Sequence, residues 1–277
     1  MISPNNYAQL DSLAKKYCSM YQGAEPYPHI VIDDFFDSDY LEELALNFPN
    51  LFNDSELEQF NGQKEIKSAS HLEQGIPKAH RSFIHFLNSQ PFLAFIQELT
   101  GIKEPLICDP YLLGGGLHQI KAGGMLKVHA DFNKHRMIGL DRRINVLVYL
   151  NKDWDESYGG HLELWDSEMK QCQQRISPIF NRLVVFSTTD FSYHGHPDPL
   201  SCPDDRTRNS IALYYYSNGR PKSEVDIQNV SATTKFVARP NSRDDRKAFL
   251  NVDRTNLIEF AKLCTPPILW KALRSLR

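Results

Sequence analysis

Between residues 143 and 217 the apolar residues fall into short blocks separated by turn residues. Arg143-Ile144-Asn145-Val146-Leu147-Val148-Tyr149-Leu150 is β-branched, aromatic and long enough for a buried strand. Asn151 to Glu156 reads as a polar turn, and Gly159-Gly160 punctuates the chain before His161-Leu162-Glu163-Leu164-Trp165, which alternates with period two. Cys172 to Ile176 is a weaker strand, and Pro178 opens a turn that Asn181 closes. Arg182 to Phe186 is again apolar, Ser192 to His194 begins another strand, and Asn209 to Tyr216 completes the set. Upstream, Leu117 to Lys121 is a strand flanked by Gly114-Gly115-Gly116 and Gly123-Gly124, which suit tight turns at a barrel rim. Many short strands at this spacing predict an antiparallel double-sheet barrel or jelly roll.

The first hundred residues follow a different rhythm. Asn6 to Tyr21 has helical periodicity, Pro28 to Ile32 reads as a strand, and a helix is expected over Asp39 to Phe48, with Asp39 and Glu42 at capping-box spacing. Pro91 to Thr100 forms a short helix ending at Gly101. Asn50 to Ile76 is polar and irregular, either a lid or substrate loop or a solvated connection. Toward the end of the chain, Leu257 to Leu263 and Ile268 to Leu276 read as two helices broken by Thr265-Pro266-Pro267. This organisation divides the chain into a helical support over 1–105, a barrel over 106–220 and a helical extension over 221–277.

Charge separates these parts. Residues 221–277 hold 11 Lys plus Arg against 6 Asp plus Glu, net +5, which leaves −8 for residues 1–220. The basic tail lacks the dense, aromatic-interleaved face that nucleic-acid binding requires, so no nucleic-acid partner is expected. No apolar run approaches 18 residues and the start is too polar for a signal peptide, so neither a membrane partner nor export is expected. Cys18, Cys108, Cys172, Cys202 and Cys264 are odd in number and lack zinc-type spacing, which suits reduced thiols in a cytoplasmic protein. A homodimer stays open, because the apolar residues of the tail helices suit docking on the barrel or on a second subunit.

His129-Ala130-Asp131, with His194 63 residues after Asp131, is the strongest chemical signal. Two imidazoles and one carboxylate can occupy one face of an octahedral metal and leave three positions open, an arrangement that suits non-haem Fe(II). A second His-x-Asp, His196-Pro197-Asp198, has no later histidine behind it and reads as a proline-stiffened turn. Arg208 opens an apolar strand and is a fixed cation that a dicarboxylate would need at its far end. His161 could face a substrate, and His118 and His135 lie near the expected mouth. Arg142 and Arg143 either bind an anion or flank the strand, and His29, His71, His80 and His85 read as surface or structural.

Tyr149-Leu150-Asn151-Lys152-Asp153-Trp154-Asp155, then Gly159-Gly160, then Asn181-Arg182-Leu183 carry a family resemblance. From about Tyr111 to Ser217, somewhat under half its length, the chain resembles the 2-oxoglutarate- and Fe(II)-dependent oxygenases of the prolyl 4-hydroxylase-like branch. The resemblance implies a double-stranded β-helix that binds Fe(II) through His129, Asp131 and His194. It also implies that Arg208 and Tyr149 share the C5 carboxylate of 2-oxoglutarate. The implied activity is hydroxylation of an unactivated C–H bond with O2, yielding succinate and CO2, with ascorbate a further candidate cofactor. Two departures stand out. Ser201 to Asp205 looks inserted, so Arg206 competes with Arg208, and His118-Gln119 stands where the family often has a tyrosine for the C1 carboxylate. Substrates implied by the branch are a peptidyl proline, a free amino acid, a sugar or another small molecule. A cupin-like metal enzyme and a non-catalytic 2-oxoglutarate- or iron-binding barrel are the readings from other classes.

Overall fold

A computed structural model describes residues 2–52, 58–70, 73–226, 233–242 and 244. The chain divides into a compact unit, Met1–Ser242, and a second, Arg243–Arg277. Both predicted tail helices lie outside the described residues.

In chain order the first unit runs α1 (Leu10–Gln22), β1 (His29–Asp33), α2 (Ser38–Leu46), β2 (Glu58–Asn61), β3 (Glu65–Ala69), α3 (Lys78–Leu87), α4 (Gln90–Thr100), β4 (Ile107–Cys108) and β5 (Gly116–Ile120). It continues with β6 (Met125–Ala130), β7 (Asp141–Tyr149), β8 (Leu162–Trp165), β9 (Cys172–Ile176), β10 (Arg182–Ser187), β11 (His194–His196), β12 (Arg208–Ser217) and β13 (Lys235–Phe236). These strands form one sheet in the order β1-β10-β7-β12-β5-β3-β6-β11-β8-β9, with β2 on β3, β4 on β12 and β13 on β6. Every one of these strand pairs is antiparallel. The long sheet curls until its two ends share a core. Tyr149 of β7 and Val184 and Phe186 of β10 pack with Leu162 and Leu164 of β8 and Ile176 of β9. The result is a nearly closed, mainly β barrel, the double-stranded β-helix.

The apolar run of β7 reflects burial on both faces. Ile144, Val146, Val148 and Leu150 join a helix-side core with Leu183 and Val185 of β10 and Ile211, Leu213 and Tyr215 of β12. The helices supply Leu10 and Ala14, Leu41 and Leu44, Phe83 and Leu87, and Phe92 and Phe95 to that same core. The alternate residues of β7, Asn145, Leu147 and Tyr149, therefore face the barrel interior.

Three local expectations need correction. Helix α2 is capped by Asp37, whose carboxylate accepts from the Tyr40 amide at 3.1 Å, and not by an Asp39/Glu42 box. The polar stretch Asn50–Ile76 is no free loop. It contains β2 and β3, and β3 sits between β5 and β6 with Ser68 opposite Gln119 and Glu65 opposite Leu126. Its polarity misled because alternate residues of β3 face the polar cavity described below. His196 is no turn residue either: it ends β11, opposite Leu126. Helix α3 carried a clear signal that sequence reasoning passed over, with Pro77 before it and Phe83, Ile84, Phe86 and Leu87 buried along one side.

Candidate active site

The register of β6 against β11 builds the centre of the site. His129 lies directly opposite His194, a pairing that brings cross-strand side chains within contact distance. Their ring centroids are 4.5 Å apart. Asp131 follows one residue past the end of β6, with Oδ1 3.5 Å from His129 Nε2 and Oδ2 3.4 Å from His194 Nε2. One ligand atom from each of the three lies within 4.8 Å of the others, the one His/Cys/Asp/Glu cluster of this kind among the described residues.

The surroundings prepare these atoms for a cation. His129 Nδ1 is 2.8 Å from the Lys127 carbonyl and His194 Nδ1 is 3.0 Å from the Ser192 carbonyl. Donation to those carbonyls places the ring proton on Nδ1 and leaves the Nε2 lone pair toward Asp131. Phe186 stands edge-on to His194 at 4.7 Å. Burial pushes the His194 imidazole down to about 4, against the opposing pull of Asp131. Burial by itself would raise the Asp131 carboxyl, but Arg142 and the two imidazoles hold it well below the usual range. The donor set is therefore two imidazoles, each with Nε2 turned to the site, and a carboxylate, which fits a divalent metal of the Fe(II) type.

Asp131 is held by its own partners. Asn145 Nδ2 donates to Oδ2 at 2.8 Å, and Arg142 meets the same oxygen at 2.9 Å. Arg142 also donates to Asn145 Oδ1 and stacks 3.4 Å from the Tyr214 ring centroid. Asn145 was not among the residues singled out from sequence. As a polar residue inside an apolar run, in phase with Tyr149, it carried a signal nonetheless.

These groups line a cavity of about 240 Å³, shared with Arg208, Ser210, His118 and His196. Arg208 is buried, donating from Nε to the Gly160 carbonyl at 2.8 Å and from a terminal nitrogen to the Tyr149 hydroxyl at 3.1 Å. Gly160 permits this approach. Its φ is +73°, and a Cβ there would stand 2.9 Å from Arg208 Cδ and 2.6 Å from Leu200 Cδ2. Arg206 instead points outward, bonded to the carbonyls of Lys152 and Asp153. Of the two competing arginines, Arg208 is the one at the cavity.

The same cavity sorts the remaining candidates. His161 is bound to Glu156 and does not line it, and His135 is tied to Asp109 Oδ1 at 3.2 Å. Arg143 is engaged by Glu104, Ser217 and Glu224. Gln119 turns its amide to the Leu51 backbone and to Thr207, away from the cavity, while Ile120 lines it.

Residues 115–216 match the family model of the 2OG-Fe(II) oxygenase superfamily. This stretch, β5 to β12 of the barrel, matches a 2OG-Fe(II) oxygenase domain. The chain is 29% identical over 206 residues to the prolyl 3-hydroxylase OGFOD1 of Mus musculus, across 69% of this chain and 33% of that protein. The Xenopus laevis OGFOD1 is 26% identical over 213 residues, across 73% and 37%. The chain thus spans about a third of the length of these curated relatives. Two solved structures share its fold. A Trichoplax adhaerens prolyl hydroxylase, in complex with a hypoxia inducible factor oxygen degradation domain peptide fragment, gives a TM-score of 0.54 at 18% identity over 76% of this chain and 91% of that one. A Pseudomonas putida prolyl-4-hydroxylase gives 0.52 at 18% identity over 76% and 100%.

Proposed function

We propose that the chain is an Fe(II)- and 2-oxoglutarate-dependent hydroxylase acting on a prolyl residue of a polypeptide. One observation carries the reading: the triad and Arg208, whose guanidinium donates to the Tyr149 hydroxyl, stand around one cavity. His129, Asp131 and His194 would hold Fe(II), and Arg208 with Tyr149 would hold the distal carboxylate of 2-oxoglutarate. When bound, this pair supplies the chemistry that places one oxygen atom of O2 in a C–H bond and the other in succinate, with loss of CO2. The chain's part is to orient and to exclude water. Fixed Nδ1–H donors aim both imidazoles, and Asn145 and Arg142 aim the carboxylate. Leu147, Leu162 and Phe186 keep the cavity wall apolar. A prolyl substrate is supported by the similarity to the OGFOD1 relatives, which are prolyl 3-hydroxylases.

The test is purified protein with Fe(II), O2 and 2-oxoglutarate, assayed for succinate with and without a panel of proline-containing peptides. Peptide-stimulated succinate with a matching +16 Da product is expected, and fragmentation then locates the hydroxyl at C3 or C4. Stimulation by free amino acids or sugars, with peptides inert, would replace the polypeptide assignment with a small-molecule one.

A further inference from the structure

His196 is the cavity group that the triad and the Arg208–Tyr149 pair leave without a task. It is 4% exposed and lines the cavity. Neither Nδ1 nor Nε2 has a hydrogen-bond partner among the described residues. A buried imidazole always carries at least one N–H and one further polar nitrogen. Leaving them unsatisfied costs stability, so such a group in a folded protein points to a partner that arrives later.

Its surroundings state the partner's chemistry. Arg208 and Lys67 line the same cavity as His196. His118 is committed through Nε2 to the Gly114 carbonyl at 3.0 Å, and Ile120 beside it presents only hydrocarbon. His196 lies two residues beyond the triad histidine His194 on β11, and although the ladder to β6 shifts register between them, both line the cavity. A buried imidazole with no partner of its own, in a cavity bounded by the triad and Arg208, suits an anionic oxygen as the acceptor of its N–H. We propose that His196 is a positioning residue for the dicarboxylate co-substrate, donating a hydrogen bond from its imidazole to a carboxylate oxygen of 2-oxoglutarate. The inference rests on the 2-oxoglutarate reading above. It assigns this chain a polar contact where Gln119 turns away and Ile120 has none to offer.

The experiment is titration of 2-oxoglutarate into Mn(II)-loaded protein by calorimetry, with Mn(II) affinity and the melting temperature of the metal-free protein measured in parallel. His196→Leu removes the donor and keeps a side chain of similar bulk, whereas His196→Gln keeps an N–H. In His196→Leu the dissociation constant for 2-oxoglutarate should rise about tenfold, the loss of one hydrogen bond to a charged group. Mn(II) affinity should be unchanged. The metal-free protein should melt at the same temperature or a few degrees higher, because an unsatisfied buried group has been removed. His196→Gln should recover most of the affinity. Equal 2-oxoglutarate affinity in wild type and His196→Leu overturns the proposal while leaving the functional reading intact. Loss of Mn(II) affinity or a lower melting temperature in His196→Leu also overturns it, since His196 would then serve the metal or the packing, as would a His196→Gln variant no better than His196→Leu. A wild-type protein that binds Mn(II) but not 2-oxoglutarate overturns the functional reading itself, and the role of His196 with it.

Discussion

Asp131 offers its two oxygens unequally. Oδ2 receives Asn145 and Arg142, while Oδ1 looks toward His129. Orienting partners of this kind tune metal affinity by roughly 10–100-fold. Asn145→Ala is therefore expected to weaken Co(II) binding by about that factor in a spectroscopic titration, and unchanged affinity would remove Asn145 from the orienting role. The two arginines give a second contrast. Arg208→Ala leaves a carboxylate without its buried cation and should cost roughly 2–5 kcal/mol of 2-oxoglutarate binding. Arg206, which holds two surface carbonyls, should tolerate alanine with little change in the 2-oxoglutarate requirement. Steady-state titration of both variants decides the order, and the reverse ranking would move the carboxylate site to Arg206.

Among the elements, β3 has the most consequential position. It bridges β5 and β6 at the cavity, where Glu65 and Lys67 form part of the wall. Deleting residues 58–69 strips both neighbours of their ladder partners, so succinate release and peptide hydroxylation should fall together with the melting temperature. Selective loss of hydroxylation in a protein of normal melting temperature would mark the hairpin as a lid. Helix α3 carries a pH response. His80 is fully buried, its Nε2 2.9 Å from the Leu44 carbonyl of α2, and its Nδ1 has no partner among the described residues. Burial lowers its pKa, with the Leu44 contact opposing. Below the ordinary histidine value of about 6.5 the unfolded chain takes up the proton that the folded chain refuses, so stability is present above that pH and falls below it, by at most about 1.4 kcal/mol per pH unit. His80→Gln should flatten this part of the denaturation profile between pH 7 and 5. An unchanged slope would assign the acid response to other groups.

Taken whole, the first unit is a barrel whose open cavity is surrounded by charge. Asp131, His129 and His194 converge on it, as do Arg142, Arg208 and Lys67. Ligands that bind only this folded arrangement must stabilise it by mass action. Mn(II) and 2-oxoglutarate together, each at a hundredfold excess over its dissociation constant, should contribute about 2.7 kcal/mol apiece. That corresponds to a rise of roughly 10–20 °C in melting temperature for a unit of this size, read by differential scanning fluorimetry. The His129→Ala protein should show neither increment. A full response in that variant would place the metal elsewhere.

Much of the barrel was legible along the chain. Strands β7, β8, β10 and β12 are buried on both faces or alternate cleanly, so their side chains declare them without reference to any neighbour. His-x-Asp spacing, the later histidine and the glycine pair before β8 are likewise local patterns. The two-residue strands β4 and β13 are too short for any period, and β3 hides a barrel strand in a polar run because part of what it faces is a wet, charged cavity. Tertiary structure alone decided which arginine reaches that cavity, that Gln119 turns away from it, and that His196 stands in its wall. Those outcomes depend on register between strands distant in sequence, where a slip of one residue exchanges the two faces of a strand. Periodicity is written in neighbouring residues, whereas convergence on a site is set by the closure of the whole sheet.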